Sequence, residues 1–460
     1  MKKPKLLLLL ILCLAFGLRL YRIDNPVADW HSWRQADTSA VSRNFLKQGF
    51  DILHPRFDDL SNIPSGLENP AGYRFVEFPL YNLLQALSFK LLPFWTLEMW
   101  GRLVSIFASL LSLTFLYLIV KRYLNERTAL LTALFFGVLP FNLYYSRAIL
   151  PEAMMVAMSL AAISFFERSW LVSAIFGSLA MLVKPFAVFL IGPAWLYLAW
   201  HQKPRRFLNW PIYWLIVLLP FFAWRRWMVN FPEGIPANDW LLNTNNIRFK
   251  GAFFYWLFGE RIGKLILGYW GSGLLALGLV RKPGSKENWF FFSWLLGILA
   301  YFFVFAAGNV QHDYYQVLAI PVICVFLAKG ADLLLTTSKE FFRPISYLLF
   351  AIICLFMLAF SWYYVRDFFN INNEVIVKAG QAVDRLLPPE AKVIAPYAGD
   401  TAFLYQTNRQ GWPVGIEVRK FIKLGATHYV NVNFGPETDW LMVDHQVLEK
   451  TPDYVIIQLQ

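Results

Sequence analysis

The sequence predicts an α-helical membrane protein that crosses the bilayer about eleven times and ends in a small α/β extracytoplasmic domain. Three observations carry that expectation. The 460-residue chain is 57% hydrophobic and 18% aromatic but only 16% charged, with a mean hydropathy of +0.45, which is too apolar for an ordinary soluble protein. Apolar runs of about 15 to 22 residues recur as far as position 364, most of them long enough to cross the hydrocarbon core as helices. The remaining residues change character and read as alternating helix and strand.

The first run, "LLLLLILCLAFGLRLY", follows "MKKPK" and has the outline of a signal peptide. No small-residue cleavage site follows it, and Arg19 and Arg22 stand where one would be, so it reads as a retained membrane helix. The runs then occupy 5–21, 100–120, 128–146, 150–166, 169–184, 186–200, 207–228, 263–280, 289–307, 313–328 and 345–364. Tyr81 to Trp95 is apolar too, but Lys90 and Pro93 interrupt it, which suits a segment lying at the membrane interface.

Lys and Arg in the connections set the orientation. "MKKPK", "KRYLNER", "ER", "HQKPRR", "RKPGSKEN" and "KGADLLLTTSKEFFR" fall on one side if every run crosses once, and that side is cytoplasmic by the positive-inside rule. The loops 22–99 and 229–262 and the tail 365–460 then face outward, with Arg225 and Arg226 as a local exception. The domains expected are a transmembrane region 1–364, including the outer loop 22–99, and an extracytoplasmic α/β domain 365–460. In the latter, "GQAVDRLLP" reads as an amphipathic helix, "AKVIAPY" and "DYVIIQL" as buried strands, and "PPE", "AGD" and "NFGPETD" as turns, with packing or recognition as its expected role.

Composition also excludes. Cys13, Cys324 and Cys354 all lie inside apolar runs, which supports neither a disulfide framework nor a cysteine-based metal site. Many of the basic residues behind the net charge of +12 sit in short loops as topology signals, so no nucleic acid is expected as a partner. No P-loop or Rossmann glycine fingerprint is present.

The stretch "ADWHSWRQADTSAVSRNF", Ala28 to Phe45, packs two Asp, one His, two Arg and two Trp just past the first helix. Asp37, Val41 and Phe45 are spaced for a helix with one apolar side, which would hold Asp37 at a defined point near the outer surface. Other polar residues expected on that side gather at helix ends: Glu77, Arg147, Glu152, Lys184, His312 and Asp313. Ionisable groups at membrane depth usually face a cavity and a partner. A carboxylate there can take a proton from an attacking hydroxyl, and Arg or Lys can hold a phosphate that leaves with negative charge.

Each residue also has a plainer explanation. Glu152 after Pro151 stabilises a helix dipole whatever its function, Lys184 near a helix end can snorkel, and "YYQ" fits an aromatic belt. His312 and Asp313 have metal-ligand chemistry, but two ligands without a third are a weak signal.

The order of motifs resembles the polytopic membrane glycosyltransferases of the GT-C fold, family 39-like, specifically the bacterial relatives of protein O-mannosyltransferases and aminoarabinose transferases. The residues that carry the likeness are "WRQADTSAVSRNF", "EFPLYNLLQAL", "WGRLVSIFASLLSLTFLYLIVKRYLNERTALLTALFFGVLPFNLYYSRAILPEAMM", "MLVKPFAVFLIGP" and "HDYYQVLAIPVICVFLAKG", over about residues 1 to 335. The resemblance implies transfer of a sugar from a polyprenyl-phosphate-linked donor to an acceptor outside the membrane, in the inner membrane of a bacterium, without a cofactor. The acceptor stays open among a protein hydroxyl, lipid A, a cell-wall polymer and a glycolipid.

By the same resemblance, Asp37 is the base or positions the acceptor, and Glu152 assists or binds the acceptor. Arg34, Arg74, Arg147 and Lys184 are candidates for the donor phosphate, Tyr314 and Tyr315 for the lipid or sugar pocket, and Asp29, His31, Glu77, His312 and Asp313 for the acceptor or pocket. Two departures bear on this. Many relatives carry an adjacent Asp-Glu pair early in this loop where this chain has Arg34-Gln35-Ala36-Asp37, which leaves Asp29 as the other register for the acid. Many also carry Lys before the Pro of "EFPLY", where this chain has Phe78.

Two other classes stand beside this one. A polysaccharide polymerase or ligase using lipid-linked oligosaccharide would place its largest loop in the second half of the chain, and a transporter or flippase would show repeated halves and mid-bilayer charge.

Overall fold

The computed structural model describes residues 3–201, 209–287, 289–336 and 342–460. The chain divides into two compact units, Met1–Ile23, Arg102–Trp224 and Asn238–Phe368 in the first, Asp24–Gly101, Arg225–Ala237 and Phe369–Gln460 in the second.

The first unit is helical, as apolar sequence dictates where only a helix satisfies its own backbone. Each of the eleven apolar runs carries helix over its described residues. Some are interrupted: 128–146 breaks at Leu139 ahead of Pro140, and 263–280 passes from a π-helical segment ending at Ile266 to the helix Ser272–Val280. Among the described residues, three helical stretches are long and apolar enough to cross a membrane by length and composition, Leu97–Tyr123, Asp313–Thr336 and Arg343–Leu386, while Glu152–Phe165, Trp170–Val183, Pro185–His201 and Phe290–Val304 are shorter.

Close packing in this unit rests on small residues that let backbones touch. A Cβ on Gly278 would lie 1.8 Å from the Phe326 carbonyl oxygen, and one on Gly330 would lie 1.9 Å from that of Leu274. The helices Ser272–Val280 and Ile320–Thr336 therefore meet backbone to backbone.

Buried charges are satisfied locally. Helix α1 (Lys3–Arg19) ends in a buried arginine that donates to the Gly137 carbonyl (2.8 Å), the Ala15 carbonyl (2.9 Å) and the Ser146 hydroxyl (2.7 Å). Lys329 pairs with Glu287 at 2.5 Å and Arg281 with Asp332 at 2.7 Å, so two of the cations counted in the basic connections are also internal ion pairs. Lys2, Lys203, Arg205, Arg206 and Lys339, counted with them, lie outside the described residues.

The second unit combines the first long loop with the tail. Its sheet has the order β2-β1-β3-β5-β4, with β1 (Lys392–Ile394), β2 (Gln410–Trp412) and β3 (His428–Asn431) parallel, and β4 (Gln446–Lys450) and β5 (Val455–Gln458) completing it antiparallel. Successive side chains point to opposite faces. Val393, Val430 and Ile456 face the helices Glu374–Leu386 and Thr401–Gln406, and Ile394, Tyr429, Val455 and Ile457 face the helices Val418–Lys423 and Pro436–Asp444.

The loop joins this sheet. Leu60 donates its N–H to the Gly411 carbonyl (2.8 Å) and Gly411 donates to that of Asp58 (2.9 Å), so residues 58–60 extend the sheet beyond β2. Sequence reading had placed the loop 22–99 with the helical region and begun the α/β domain at 365; the structure groups Asp24–Gly101 with Phe369–Gln460. The expected helix and both strands of the tail are present, but "NFGPETD" is a turn only as far as Gly435. Pro436 at the first helical position, with Glu437 and Asp439 in the first turn, starts the helix Pro436–Asp444.

Helices α2 (Ser32–Gln48) and α3 (Leu80–Leu91) belong to the same unit. Helix α2 was expected to bury one apolar side, yet Arg34, Gln35, Asp37, Thr38, Ser39, Ser42 and Asn44 are buried as well. Gln85 and Asn82 of α3 hold it: Gln85 accepts from the Ser42 hydroxyl (2.8 Å) and donates to that of Ser39 (2.9 Å), and Asn82 donates to the Thr38 carbonyl (2.6 Å). Beyond these contacts Leu84 and Leu91 of α3 are exposed, as are Leu92, Phe94 and Trp95 after its end.

Candidate active site

In the second unit the buried carboxylate of Asp37 is held at both oxygens. Oδ2 accepts from Arg74 Nη2 at 2.6 Å and Oδ1 from the Thr401 hydroxyl at 2.7 Å. Both bonds are charge-assisted, the strong kind. Arg74 is fixed in turn: its backbone N–H donates to the Pro55 carbonyl (2.8 Å) and its guanidinium lies 4.9 Å from the Phe57 ring centroid.

Two further carboxyls surround this pair. Asp59 Oδ1 accepts from the Ser61 N–H at 2.7 Å, whereas Oδ2 is buried with no hydrogen-bond partner among the described residues. Burial, with the Asp37 charge adding to it, pushes the Asp59 carboxyl up to about 7 against the opposing pull of the Ser61 bonds and Arg74. Asp400 caps Ala402 N–H at 2.7 Å, and burial together with the Asp37 charge raises it to about 6.

Arg34 forms a partly buried ion pair with Glu77 and donates to the Thr38 hydroxyl at 3.2 Å. Asp29 accepts from Gln35 at 2.6 Å, while its own carbonyl receives the Ser32 N–H (3.0 Å) and the Asn372 amide (2.9 Å). His31 takes the left-handed conformation, φ 54°, with its ring at an angle to that of Trp30. Asp29 and His31 thus shape the turn into α2, and Asp37 lies on the helix itself.

The first unit holds a different cluster. Glu152, buried at the start of the helix Glu152–Phe165, forms an ion pair with Lys184, which stands at the end of the helix Trp170–Val183. The ammonium lies 5.7 Å from the ring centroids of both Tyr314 and Tyr315 and 6.0 Å from that of Phe186. Glu152 Oε2 has no hydrogen-bond partner among the described residues.

Asp313, also buried, accepts from the Tyr145 hydroxyl and lies 3.7 Å from Arg261. His312 stacks on Tyr314 (5.4 Å, 16°). Arg147 donates to the Arg22 carbonyl at 2.6 Å and lies over Tyr144, whose ring abuts that of Tyr145.

Asp37, Arg74, Arg34 and Glu77 thus gather in one unit and Glu152, Lys184, Tyr314 and Tyr315 in the other. Sequence reasoning missed Thr401, Asp400, Asp59, Tyr145 and Arg261. The Asp-Thr pair in "AGDTAFLY" is a visible helix start, but nothing in its spacing announces a contact 364 residues earlier. Among the described residues no group of three or more His, Cys, Asp or Glu side chains is placed to hold a metal ion.

Residues 76–227 match the family model of the dolichyl-phosphate-mannose-protein mannosyltransferases. No curated protein matches the chain by sequence. Among solved structures, the fold is similar to that of ArnT from Cupriavidus metallidurans in the apo state, with a TM-score of 0.68 and 12% identity over 98% of this chain and 97% of that one. For the same protein bound to undecaprenyl phosphate the TM-score is 0.66 at 13% identity, with the same coverage. The archaeal oligosaccharyltransferase AglB from Archaeoglobus fulgidus, in complex with an inhibitory peptide and a dolichol-phosphate, matches at a TM-score of 0.60 and 10% identity over 92% of this chain and 69% of that one. With the family pattern over residues 76–227 and the likeness to solved structures over nearly its whole length, the chain has the GT-C fold and is similar to the protein mannosyltransferases and to ArnT.

Proposed function

We propose that the protein transfers a sugar from a polyprenyl-phosphate-linked donor to an acceptor hydroxyl at the extracytoplasmic face of a bacterial inner membrane, with its N-terminus cytoplasmic and its C-terminal segment outside. The observation that carries the reading is the buried Asp37 carboxylate, oriented at both oxygens by Arg74 and Thr401. A carboxylate so fixed is suited to take a proton, and no cofactor is required for that step. The polyprenyl phosphate bound by the ArnT structure supports the donor class.

In the proposed reaction the acceptor O–H bond breaks as Asp37 takes the proton, and the acceptor oxygen forms its bond to the anomeric carbon. The bond from that carbon to the phosphate oxygen breaks, and its electron pair leaves with the polyprenyl phosphate. Within the first unit, Lys184 set among Tyr314, Tyr315 and Phe186 has the chemistry to hold a phosphate, and the aromatic faces suit a sugar or isoprene units. Glu152 holds the ammonium in place through their ion pair before the donor arrives.

The test is transfer from a panel of radiolabelled polyprenyl-phosphate sugars, by wild type and Asp37→Asn in liposomes, into protein, glycolipid and cell-wall acceptors. Label entering one acceptor class with wild type and lost with the variant is expected. Full transfer by Asp37→Asn alongside inactivity of Asp29→Asn would move the base to the other register. A second reading, transfer of a whole lipid-linked oligosaccharide, is favoured by the likeness to AglB, and adding such donors to the panel separates the two.

A further inference from the structure

We propose that Thr401 is a positioning residue that decides which oxygen of Asp37 receives the acceptor's proton, by turning its hydroxyl from Asp37 to the Trp33 carbonyl as the carboxylate is protonated. The inference rests on Asp37 acting as the base and goes beyond it.

The geometry is specific. Thr401 Oγ1 lies 2.7 Å from Asp37 Oδ1 and 3.2 Å from the Trp33 carbonyl oxygen, and both of these are acceptors. A hydroxyl has one proton to donate and lone pairs to accept with, so it serves one of the two at a time. While Asp37 is ionised, the shorter, charge-assisted bond to Oδ1 wins.

Protonation reverses the demand. Oδ2 faces Arg74, whose guanidinium has donors only, so a proton on Oδ2 would point at another donor and lose that bond. Oδ1 faces a group that can do either. With the proton on Oδ1, Asp37 donates to the Thr401 oxygen and Thr401 donates to Trp33, so both Asp37 oxygens and the Thr401 hydroxyl keep a partner at either stage. Neither Arg74 nor the backbone has to move. The tail segment thus supplies the one contact to Asp37 that is compatible with both protonation states.

The groups facing Asp37 from the surrounding elements are Arg74, Asp59 and Asp400, with the Arg34–Glu77 pair on and beside its own helix. Because Asp59 and Asp400 titrate in the working range, the readout is the difference between variants that leave both in place.

The experiment compares wild type, Thr401→Val, Thr401→Ser and Asp37→Asn as full-length chains in liposomes, with kcat and KM for the donor measured from pH 5 to 9. Val keeps the shape and removes the hydroxyl; Ser keeps the hydroxyl and removes the methyl. We expect Val to lower kcat about 10- to 100-fold with donor KM unchanged, and Ser to retain most of the rate. We also expect the loss of activity on the acid side to set in at higher pH for Val, since an ionised carboxylate loses a donor.

Should Val fail to fold, Thr401→Ala removes the hydroxyl without adding bulk. Ser as impaired as Val would make Thr401 a packing residue and overturn the proposal, as would a Val variant with the wild-type rate and pH profile. Retained transfer by Asp37→Asn would instead overturn the base assignment beneath it, whatever Thr401 does.

Discussion

Asp37 and Glu152 are both buried carboxylates beside a cation, yet their surroundings differ in kind. Asp37 has a partner on each oxygen and two further carboxyls around it, Asp59 and Asp400, both raised toward neutrality. Glu152 has one partnered oxygen, and its cation is surrounded by aromatic faces instead of acids. The first arrangement fixes a carboxylate while making extra negative charge costly, which suits a proton acceptor. The second fixes a cation, which suits an anion that comes and goes. Similar pairs of side chains thus stand in surroundings of different character.

The largest effect should come from Asp37→Asn, which keeps the shape and removes the proposed base. A fall of about 10²- to 10⁴-fold in kcat is expected, measured as initial transfer rate at saturating donor. An equal loss from Glu152→Gln would erase the contrast between the two clusters.

Lys184→Met comes next. Alone it strands the Glu152 charge in a buried site, at about 3–5 kcal/mol of stability, read as a drop in thermal unfolding temperature in detergent. The double variant Lys184→Met with Glu152→Gln should recover most of that stability while raising donor KM about 10- to 100-fold. Recovery of both would leave the cluster a purely structural pair.

The third prediction concerns pH. An Asp59 carboxyl at about 7 when folded keeps its proton where the unfolded chain, near 3.8, has lost it. Stability contributed by the protonated form is therefore present below about 4 and declines as pH rises to about 7, by up to roughly 4 kcal/mol. Asp400, at about 6, adds to the same slope. Asp59→Asn should flatten the decline between pH 4 and 7 in thermal unfolding scans, and an unchanged slope would show that burial does not hold the Asp59 proton.

The smallest effect is expected from Gly330→Ala, outside both clusters. Its Cβ would meet the Leu274 carbonyl at 1.9 Å, so the helices must part, at about 1–3 kcal/mol of stability, with donor KM unchanged. A changed KM would tie that helix pair to the donor site.

Much of this architecture was legible because membrane sequence is simple to read: long apolar runs become helices, and "AKVIAPY" and "DYVIIQL" carry the signature of buried strands. Asp37 was legible through its i, i+4 relation to Val41 and Phe45 in a segment unlike its surroundings. What could not be read depends on contacts distant in sequence. The partners that bury the polar face of α2 could not be read, because nothing local shows Gln85, Asn82 and Thr401 waiting to cover it. Arg34 looked like a free phosphate ligand, and its ion pair with Glu77 is 43 residues away. Residues 58–60 look like loop because a short extended segment becomes sheet only when its neighbour, here β2, is supplied from far along the chain.

That late neighbour has a consequence for the order of assembly. Translation delivers Asp37 and Asp59 early, Gly411 and Thr401 more than 340 residues afterwards, and non-local contacts cannot form before both ends exist. The carboxylate therefore acquires its contact to Thr401 only after residue 401 has left the ribosome. A chain cut short before position 401 would carry Asp37 without Thr401, so this centre joins two segments synthesised far apart in time.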